Sequence, residues 1–379
     1  METQFTMQQR RALILGGGIG GMSAAISLAT LGMEVDLIDL DPEWRVYGAG
    51  ITITGPTLRA FKALGILPEI MEHAYTGEGI QICAVDGSRL AVLPTPVRPE
   101  DAIPGCGGIM RPVLHRILSQ QTLSSGVRVR LGISVERYTE DRSGIEVRFT
   151  DGTDGRFDLL IGADGLFSRI RKLAFPHAPA PTYTGQSAWR VRLPRAPEID
   201  RRHFFLGGPF KVGLTPVSAS EMYMFLLQNT VDKPRYPDDR LHHELRELTR
   251  HYGGIVRQIG DELTPESGIV LRPLEAFLLP GPWHTGRVLL IGDAAHPTTP
   301  QLASGAGLAV EDALIIRQCL EVESDIGAAF ARFMERRYAR CRLVVENSLE
   351  IGRREQAGRP IEEQTVLVEQ SLKALAEPI

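Results

Sequence analysis

Apolar and polar positions divide this chain into segments of two periods. Ala12 to Leu15 is a short, wholly apolar run that reads as a buried strand. After Gly16-Gly17-Gly18-Ile19-Gly20-Gly21 the spacing becomes helical, with small Ser23, Ala24 and Ala25 where the helix would lie near a sheet, and Gly32 ends it. Glu34 to Ile38 is a second strand that delivers Asp39. Alternation marks Ile51 to Thr54, and an amphipathic helix is expected from Thr57 to Leu64, stopped by Gly65. Ile80 to Leu93 alternates around Asp86-Gly87, a hairpin signal. Pro94, Pro96, Pro99 and Pro104 break the pattern before a helix from Arg111 to Leu123. Val127 to Val135 returns to β structure, and Ile145 to Phe149 turns at Asp151-Gly152 into a run from Arg156 to Ile161.

From Tyr183 to Thr230 the pattern is strands alone: SAWRVRLP, HFFLGG, KVGLTPV and EMYMFLLQ. Asp239 to Ile259 reads as helical and Gly268 to Leu279 as extended. Arg287 to Ile291 is another apolar strand, followed by helices over Ala303 to Leu320, Ala328 to Leu349 and beyond Pro360. There is no internal repeat. The expected fold class is α/β: a doubly wound, Rossmann-like nucleotide domain, discontinuous in sequence, with an inserted β-rich substrate domain and C-terminal helices. The expected boundaries are 1–75, 105–175 and 283–345 for the first, 76–104 and 176–282 for the second, and 346–379 for the C-terminal helical segment.

Composition excludes more than it selects. The chain has 379 residues, a formal charge of −4 and nothing resembling a basic face for nucleic acid or a polybasic membrane anchor. No apolar run is long enough to span a bilayer, and METQFTMQQRR has no secretory core or cleavage site. Cys83, Cys106, Cys319 and Cys341 show no metal-ligand spacing and read as buried or incidental thiols, and the His residues show none either, so no metal is expected. A cytoplasmic monomer or homodimer is the expectation.

The chemistry lies at strand ends. Gly16, Gly18 and Gly21 fit G-x-G-x-x-G: a tight turn, close backbone approach to a pyrophosphate, and close packing of helix on strand. The helix start offers N–H groups to an anion. Asp39, about 20 residues on, is placed to hold ribose hydroxyls. Two further strands end in Asp164-Gly165 and in Gly292-Asp293, and the latter leads through Pro297 and Pro300 into Gly305-Ala306-Gly307 at a helix start. In an open α/β sheet such positions face the ligand.

Together these motifs resemble the class A flavoprotein monooxygenases, the para-hydroxybenzoate hydroxylase-like family, most strongly over 11–72, 105–172 and 283–345. The wording Leu302-Ala303-Ser304-Gly305-Ala306-Gly307 is similar to that of salicylate and 3-hydroxybenzoate hydroxylases. The resemblance implies FAD, with its ADP half on Gly16, Gly18, Gly21 and Asp39, and Arg111 at the ribityl or phosphate region. It implies that Asp164 and Gly165 serve FAD and the nicotinamide cofactor. Asp293 would bind the ribityl chain, and Pro300 to Gly307, with Gly305, Ala306 and Gly307, would line the flavin edge. Arg45 matches a position tied to the mobile flavin and NADH or NADPH. The implied reaction is hydroxylation of a small aromatic or N-heteroaromatic substrate with O2 through a flavin C4a-hydroperoxide. The alternatives are a flavin reductase or dehydrogenase of the same fold without oxygen insertion, and a non-catalytic nucleotide-binding sensor. Trp44, Trp189 and Trp283 are isolated, so the Trp-x-Trp-x-x-Pro motif of halogenases is absent.

The substrate side is the departure from the pattern. Phenol hydroxylases of this kind often carry a His or Tyr base on the inserted sheet, and Pro209 to Leu214 has neither. His203, Tyr223 and Gln186 are the nearby candidates, with Arg190 and Lys211 as carboxylate partners. Phe204, Phe205, Phe210, Met222 and Met224 are candidate pocket walls, of which strand alternation lets about half face a ligand. A missing base favours an already ionised or activated ring, amino-substituted or N-heteroaromatic.

Overall fold

A computed structural model describes residues 10–46, 48–98 and 102–379. Pro99 of the breaker-rich loop and the first nine residues of the N-terminal stretch lie outside these. A six-stranded sheet forms the base of the fold, in the order His284–Thr285, Val288–Leu290, Leu159–Gly162, Arg11–Leu15, Glu34–Asp39, Arg128–Leu131. All neighbours are parallel except the first pair. Its central strands are apolar throughout because helix Ile19–Thr30, backed by Gly305–Val322, and the strands Gly144–Phe149 and Asp154–Phe157 share a single core with it, which leaves no polar face.

Register decides function here. Leu15 lies opposite both Gly162 and Ile38, and Gly162 lies opposite Leu290. The three loops that follow leave the same edge side by side. The ladder continues into them: Gly16 N–H donates to Ile38, Ala163 N–H to Leu15 and Ile291 N–H to Gly162.

The expected strand from Arg156 to Ile161 is two strands. Asp154–Phe157 belongs to a small antiparallel sheet with Gly144–Phe149 and Val135–Asp141, whereas Leu159–Gly162 joins the parallel sheet. Asp158 is the break. Its N–H donates to the Arg11 carbonyl and its carboxylate accepts from the Arg11 N–H, so the chain changes sheets without losing backbone partners.

A seven-stranded sheet unites Ile80–Cys83 and Arg89–Leu93 with four strands from the middle of the chain, Thr182–Pro194, Arg202–Phe205, Lys211–Pro216 and Glu221–Asn229, and with Val270–Ala276. One face carries its own core, with Trp189, Phe205, Met222, Met224 and the helices Leu241–Thr249 and Gly254–Glu262. The other faces the nucleotide sheet. The expected boundary at 345/346 falls inside one helix, Ile326–Gln356. Its buried stripe runs unbroken from Phe330 and Phe333 through Val344 and Val345 to Ile351, so nothing interrupts it there. The last helix, Ile361–Ala376, packs against it and adds Leu375 to the main core.

Candidate active site

The cleft between the two sheets measures about 400 Å3 and reaches from the glycine-rich loop to the inserted sheet. Gly18, Gly20, Ala163, Gly165, Gly292 and Asp293 line one end, and Arg190, Tyr223, Phe225 and Leu227 the other. Pro300, Gly305 and Ala306 lie along the same wall.

The glycines divide their work. Gly16 has φ +113°, and a Cβ there would lie 2.3 Å from the Ala163 carbonyl oxygen, so it serves the crossing of two neighbouring strand ends. A Cβ on Gly21 would collide with the Gly16 carbonyl at 1.8 Å, the contact that lets helix and strand pack. A Cβ on Gly18 would meet nothing within 4 Å, so Gly18 leaves room for a ligand rather than for the protein. Gly307 is a packing glycine too: a Cβ would lie 2.4 Å from the Thr57 hydroxyl on helix Gly55–Leu64.

Asp39 accepts hydrogen bonds from the Gly17 and Asp41 N–H groups at 2.6 and 2.8 Å, which fixes its carboxylate against the nucleotide loop. The Trp44 indole donates to the Gly17 carbonyl at 2.9 Å and lies edge-on to His115, which lines the cleft. Arg45 reaches Asp41 at 2.9 Å and is half-exposed; its neighbour Val46 lines the cleft and Arg45 itself does not. Asp164 turns away as well. It accepts from the Ser168 hydroxyl and from the N–H groups of Arg169 and Ile170, organising the start of helix Arg169–Ala174, while Gly165 faces the cleft. Burial pushes the Asp164 carboxyl up, against those hydrogen bonds. Arg171 ties this turn to the next motif by donating to the Ala294 carbonyl at 2.8 Å.

Asp293 lines the cleft, and its side chain is exposed to that space. Burial raises its carboxyl above the ordinary range, with His296 and Arg111 pulling it back. Beneath it is a buried ionic network that the sequence did not reveal. His296 Nε2 is 2.7 Å from Asp312, which also accepts from the Gly292 N–H at 2.9 Å and from Arg337 at 2.7 Å. Arg337 and Arg340 both hold Glu311 at 2.8 Å. Burial disfavours the imidazolium, but Cys341 and Asp312 outweigh it and hold the His296 pKa well above normal. Burial likewise raises the Asp312 carboxyl, but His296 and Arg337 prevail and hold it low. The ligand-type atoms of His296, Asp312 and Cys341 lie within 4.8 Å of one another, with the Arg337 guanidinium against Asp312 and Cys341. The network clamps helix Gly305–Val322 to the Gly292–Ala294 turn, aiming the helix start at the cleft. Ala303, at φ +51°, makes the bend into that helix.

On the inserted sheet, period two sorts the candidates. Of the five suggested wall residues only Phe204 lines the cleft; Phe205, Met222 and Met224 point into the other core and Phe210 packs against it. Phe225 and Leu227, on the same face as Tyr223, form the wall in their place. His203 falls on the far face of its strand from Arg202 and Phe204, with Nδ1 2.9 Å from the Arg201 carbonyl. Burial lowers its pKa, with the Arg201 carbonyl opposing. The geometry therefore does not place it against a ligand in the cleft. Tyr223 does face the cleft. Its hydroxyl is 3.0 Å from the Thr52 hydroxyl, and Gly50 admits its ring, since a Cβ there would lie 2.2 Å away.

Arg190 is enclosed at the cleft and makes no hydrogen bond or ion pair among the described residues. Burial, together with Arg111 and Arg272, lowers its pKa, opposed by Tyr223. Arg111 lines the same space. Lys211 is already paired, to Glu355 at 2.8 Å. Gln301 was missed by sequence reasoning. Its amide N–H donates to Gln186 and to Glu355 at 2.9 and 3.1 Å. A carboxylate only accepts, so the amide orientation is fixed and Oε1 is left buried without a partner at the cleft wall. Gln186 thus acts as a support for Gln301. Glu355 is far away in sequence, and no local signal could have found the pair.

These residues fit FAD: glycine backbone and Asp39 for the adenylate half, a helix start for the pyrophosphate, Asp293 for a polyol, and a second helix start at Gly305 for an electron-rich ring edge. Comparison with known proteins agrees. The family model described as FAD binding domain matches residues 9–323. The 3-hydroxybenzoate 6-hydroxylase of Polaromonas naphthalenivorans is 30% identical, covering 90% of this chain and 87% of its own. The 2-heptyl-3-hydroxy-4(1H)-quinolone synthase of Pseudomonas aeruginosa is 29% identical over 90% and 88%. The crystal structure of Klebsiella pneumoniae HpxO with FAD and uric acid superposes with a TM-score of 0.82 at 25% identity, covering all of this chain and 95% of that one. Among the described residues no helix is long and apolar enough to cross a membrane. The chain belongs to the FAD-binding family of flavoprotein monooxygenases and aromatic hydroxylases.

Proposed function

We propose that this protein is a single-component monooxygenase that uses NADH or NADPH and O2 to hydroxylate a small, planar, anionic aromatic or N-heteroaromatic compound. The observation that carries the proposal is continuity: one cleft runs from the nucleotide loop to an enclosed arginine on the inserted sheet that has no partner among the described residues. The balanced reaction is ring C–H plus O2, NAD(P)H and H+ giving ring C–OH, NAD(P)+ and water. When bound, FAD would supply the redox chemistry that couples NAD(P)H oxidation to insertion of one oxygen atom.

The chain's own residues bind, orient and exclude water. Gly18 and Asp39 hold the adenylate half, Arg111 and the helix starts offset its charge, and Asp293 orients the polyol. We assign Arg45 to the passage of nicotinamide at the exposed side. The sequence carries no second glycine-rich nucleotide fold, which suits a transient co-substrate. Arg190 takes the substrate's negative charge, because an enclosed cation without a counter-ion is costly and an incoming anion relieves it. Tyr223 and the Gln301 carbonyl offer hydrogen bonds to ring heteroatoms. Phe204, Phe225, Leu227 and Leu274 keep water from the reacting ring. The compounds in the relatives' names, a hydroxybenzoate for one and a quinolone product for another, are planar rings with polar edges, as is the uric acid bound by HpxO.

The test is a substrate screen on purified protein. An FAD spectrum is expected, and benzoates, pyridine carboxylates, purines and quinolones are to be scanned for stimulated NAD(P)H oxidation. A hit should consume one O2 per NAD(P)H and carry one 18O atom from 18O2. Formation of the same product without oxygen would replace this reading by a dehydrogenase.

A further inference from the structure

We propose that the catalytic cleft opens into a second, apolar chamber under the C-terminal helix, and that this chamber takes a short aliphatic substituent on the substrate ring. The inference rests on the reading of the main cleft as a ring site. A separate cavity of about 40 Å3 shares Arg202, Phe204, Gln301 and Ala303 with the cleft, so the two meet along a common wall. Beyond that wall its apolar lining is Pro56, Ile80, Pro96, Leu302, Val368 and Leu372, beside Thr54, Thr95, Gly105 and Cys106, whose thiol lies 3.6 Å from the Gly77 carbonyl.

Polarity falls from the junction inward. At the junction, Arg202 Nε and Gln301 Oε1 are buried without partners among the described residues and suit ring heteroatoms. Inside, the hydroxyls are already used. Thr54 bonds Thr57 at 3.0 Å, and Thr95 accepts the Gly79 N–H at 3.0 Å. A space with no free polar group holds water poorly and favours carbon. Since one water needs roughly 10–15 Å3 by this measure, the chamber matches about three or four carbon atoms.

The outer wall is a fixed element. Helix Ile361–Ala376 carries Val368 and Leu372, and Arg340 and Arg59 donate to the Leu375 and Ala376 carbonyls at 2.8 and 2.9 Å. Asn347 donates to Ser371 at 2.9 Å. The C-terminal helix is therefore part of the substrate site, in contact with the Pro300–Leu302 turn that contains Gln301.

The experiment is equilibrium binding to the FAD-loaded protein, followed by the change in flavin absorbance. Two series serve as probes: 4(1H)-quinolone with its 2-methyl, 2-propyl and 2-heptyl derivatives, and benzoate with its 4-methyl and 4-propyl derivatives. In at least one series each of the first three carbons is expected to tighten binding about three- to fourfold. Leu372→Trp should collapse the propyl-to-parent affinity ratio, and Val368→Ala, which enlarges the space, should shift the optimum to a longer chain. A flat series in the wild type, or a Leu372→Trp variant that weakens parent and propyl compounds equally while Val368→Ala leaves the optimum in place, overturns the chamber and leaves the ring site standing. If neither parent nor derivative binds in either series, the reading of the main cleft fails and the chamber fails with it.

Discussion

The two walls of the cleft are built on opposite principles. On the nucleotide side, loops at the ends of parallel strands do the work, with backbone N–H groups and glycines whose missing Cβ atoms leave room. On the inserted sheet, side chains on one face of the strands do it, and the residue next in sequence belongs to a different core. Chain order alone specifies the first kind of site. The second depends on which face each strand turns inward, and a shift of one residue would exchange Arg202 and Phe204 for His203 and Phe205. Substitutions should divide accordingly: backbone room matters on one wall, side-chain identity on the other.

The largest expected effect on ligand affinity tests the backbone side. Gly18→Val places its side chain where the protein has nothing within 4 Å and the pyrophosphate is expected. The apoprotein should keep its melting temperature, while overpacking at the ligand weakens FAD by on the order of 100-fold. Titration of apoprotein with FAD measures this. Retention of FAD affinity in the variant would mean that the nucleotide does not pass over this glycine.

The largest effect on stability is expected at the clamp behind the loops. Arg337→Met leaves Asp312 buried without one of its two cations, and losing one partner of a buried ion pair costs about 3–5 kcal/mol. Urea unfolding checks it. The sign of the pH dependence follows from the two shifts. The Asp312 pKa is held below its ordinary 3.8, so its contribution is present above that pH and is lost as pH falls through the folded value. The His296 pKa is held above 6.5, so its contribution is complete below 6.5 and is lost as pH rises through its folded value. The clamp is therefore strongest in mildly acidic solution, and the stability gap between wild type and Arg337→Met should narrow as Asp312 is protonated at lower pH.

What could be read in advance follows the same division. The glycine-rich loop, Asp39, Gly165 and the Gly292-Asp293 and Gly305–Gly307 segments are adjacent in space because parallel strands place their loops at one edge, so reading the strands sufficed. Asp164 was legible as part of a motif but not in its role, since the same carboxylate can face a ligand or cap the helix that follows. The Asp312–Arg337 clamp and the Gln301–Glu355 pair join residues 25 and 54 positions apart. Such pairs follow from the packing of long helices, and no periodicity records which polar residue meets which. Arg190 and Lys211 looked equivalent in sequence. The structure separates them, because Glu355 neutralises Lys211 and, among the described residues, no acid reaches Arg190.

The smallest expected change sharpens the comparison most, because it uses two residues of the same sheet. Arg190→Gln removes a charge-assisted hydrogen bond to an anionic substrate, worth about 10- to 100-fold in KM, and should weaken neutral analogues far less. His203→Gln lies across the strand from the cleft. A general base contributes about 100- to 10,000-fold, with a pH profile that follows its pKa. If His203 were that base, kcat would fall steeply and the profile would flatten. The expected result is unchanged kcat and an unchanged profile, read from steady-state NAD(P)H oxidation with the substrate found by the screen. A collapse of kcat in His203→Gln with normal KM in Arg190→Gln would mean that the catalytic face of the inserted sheet is the one opposite to Tyr223.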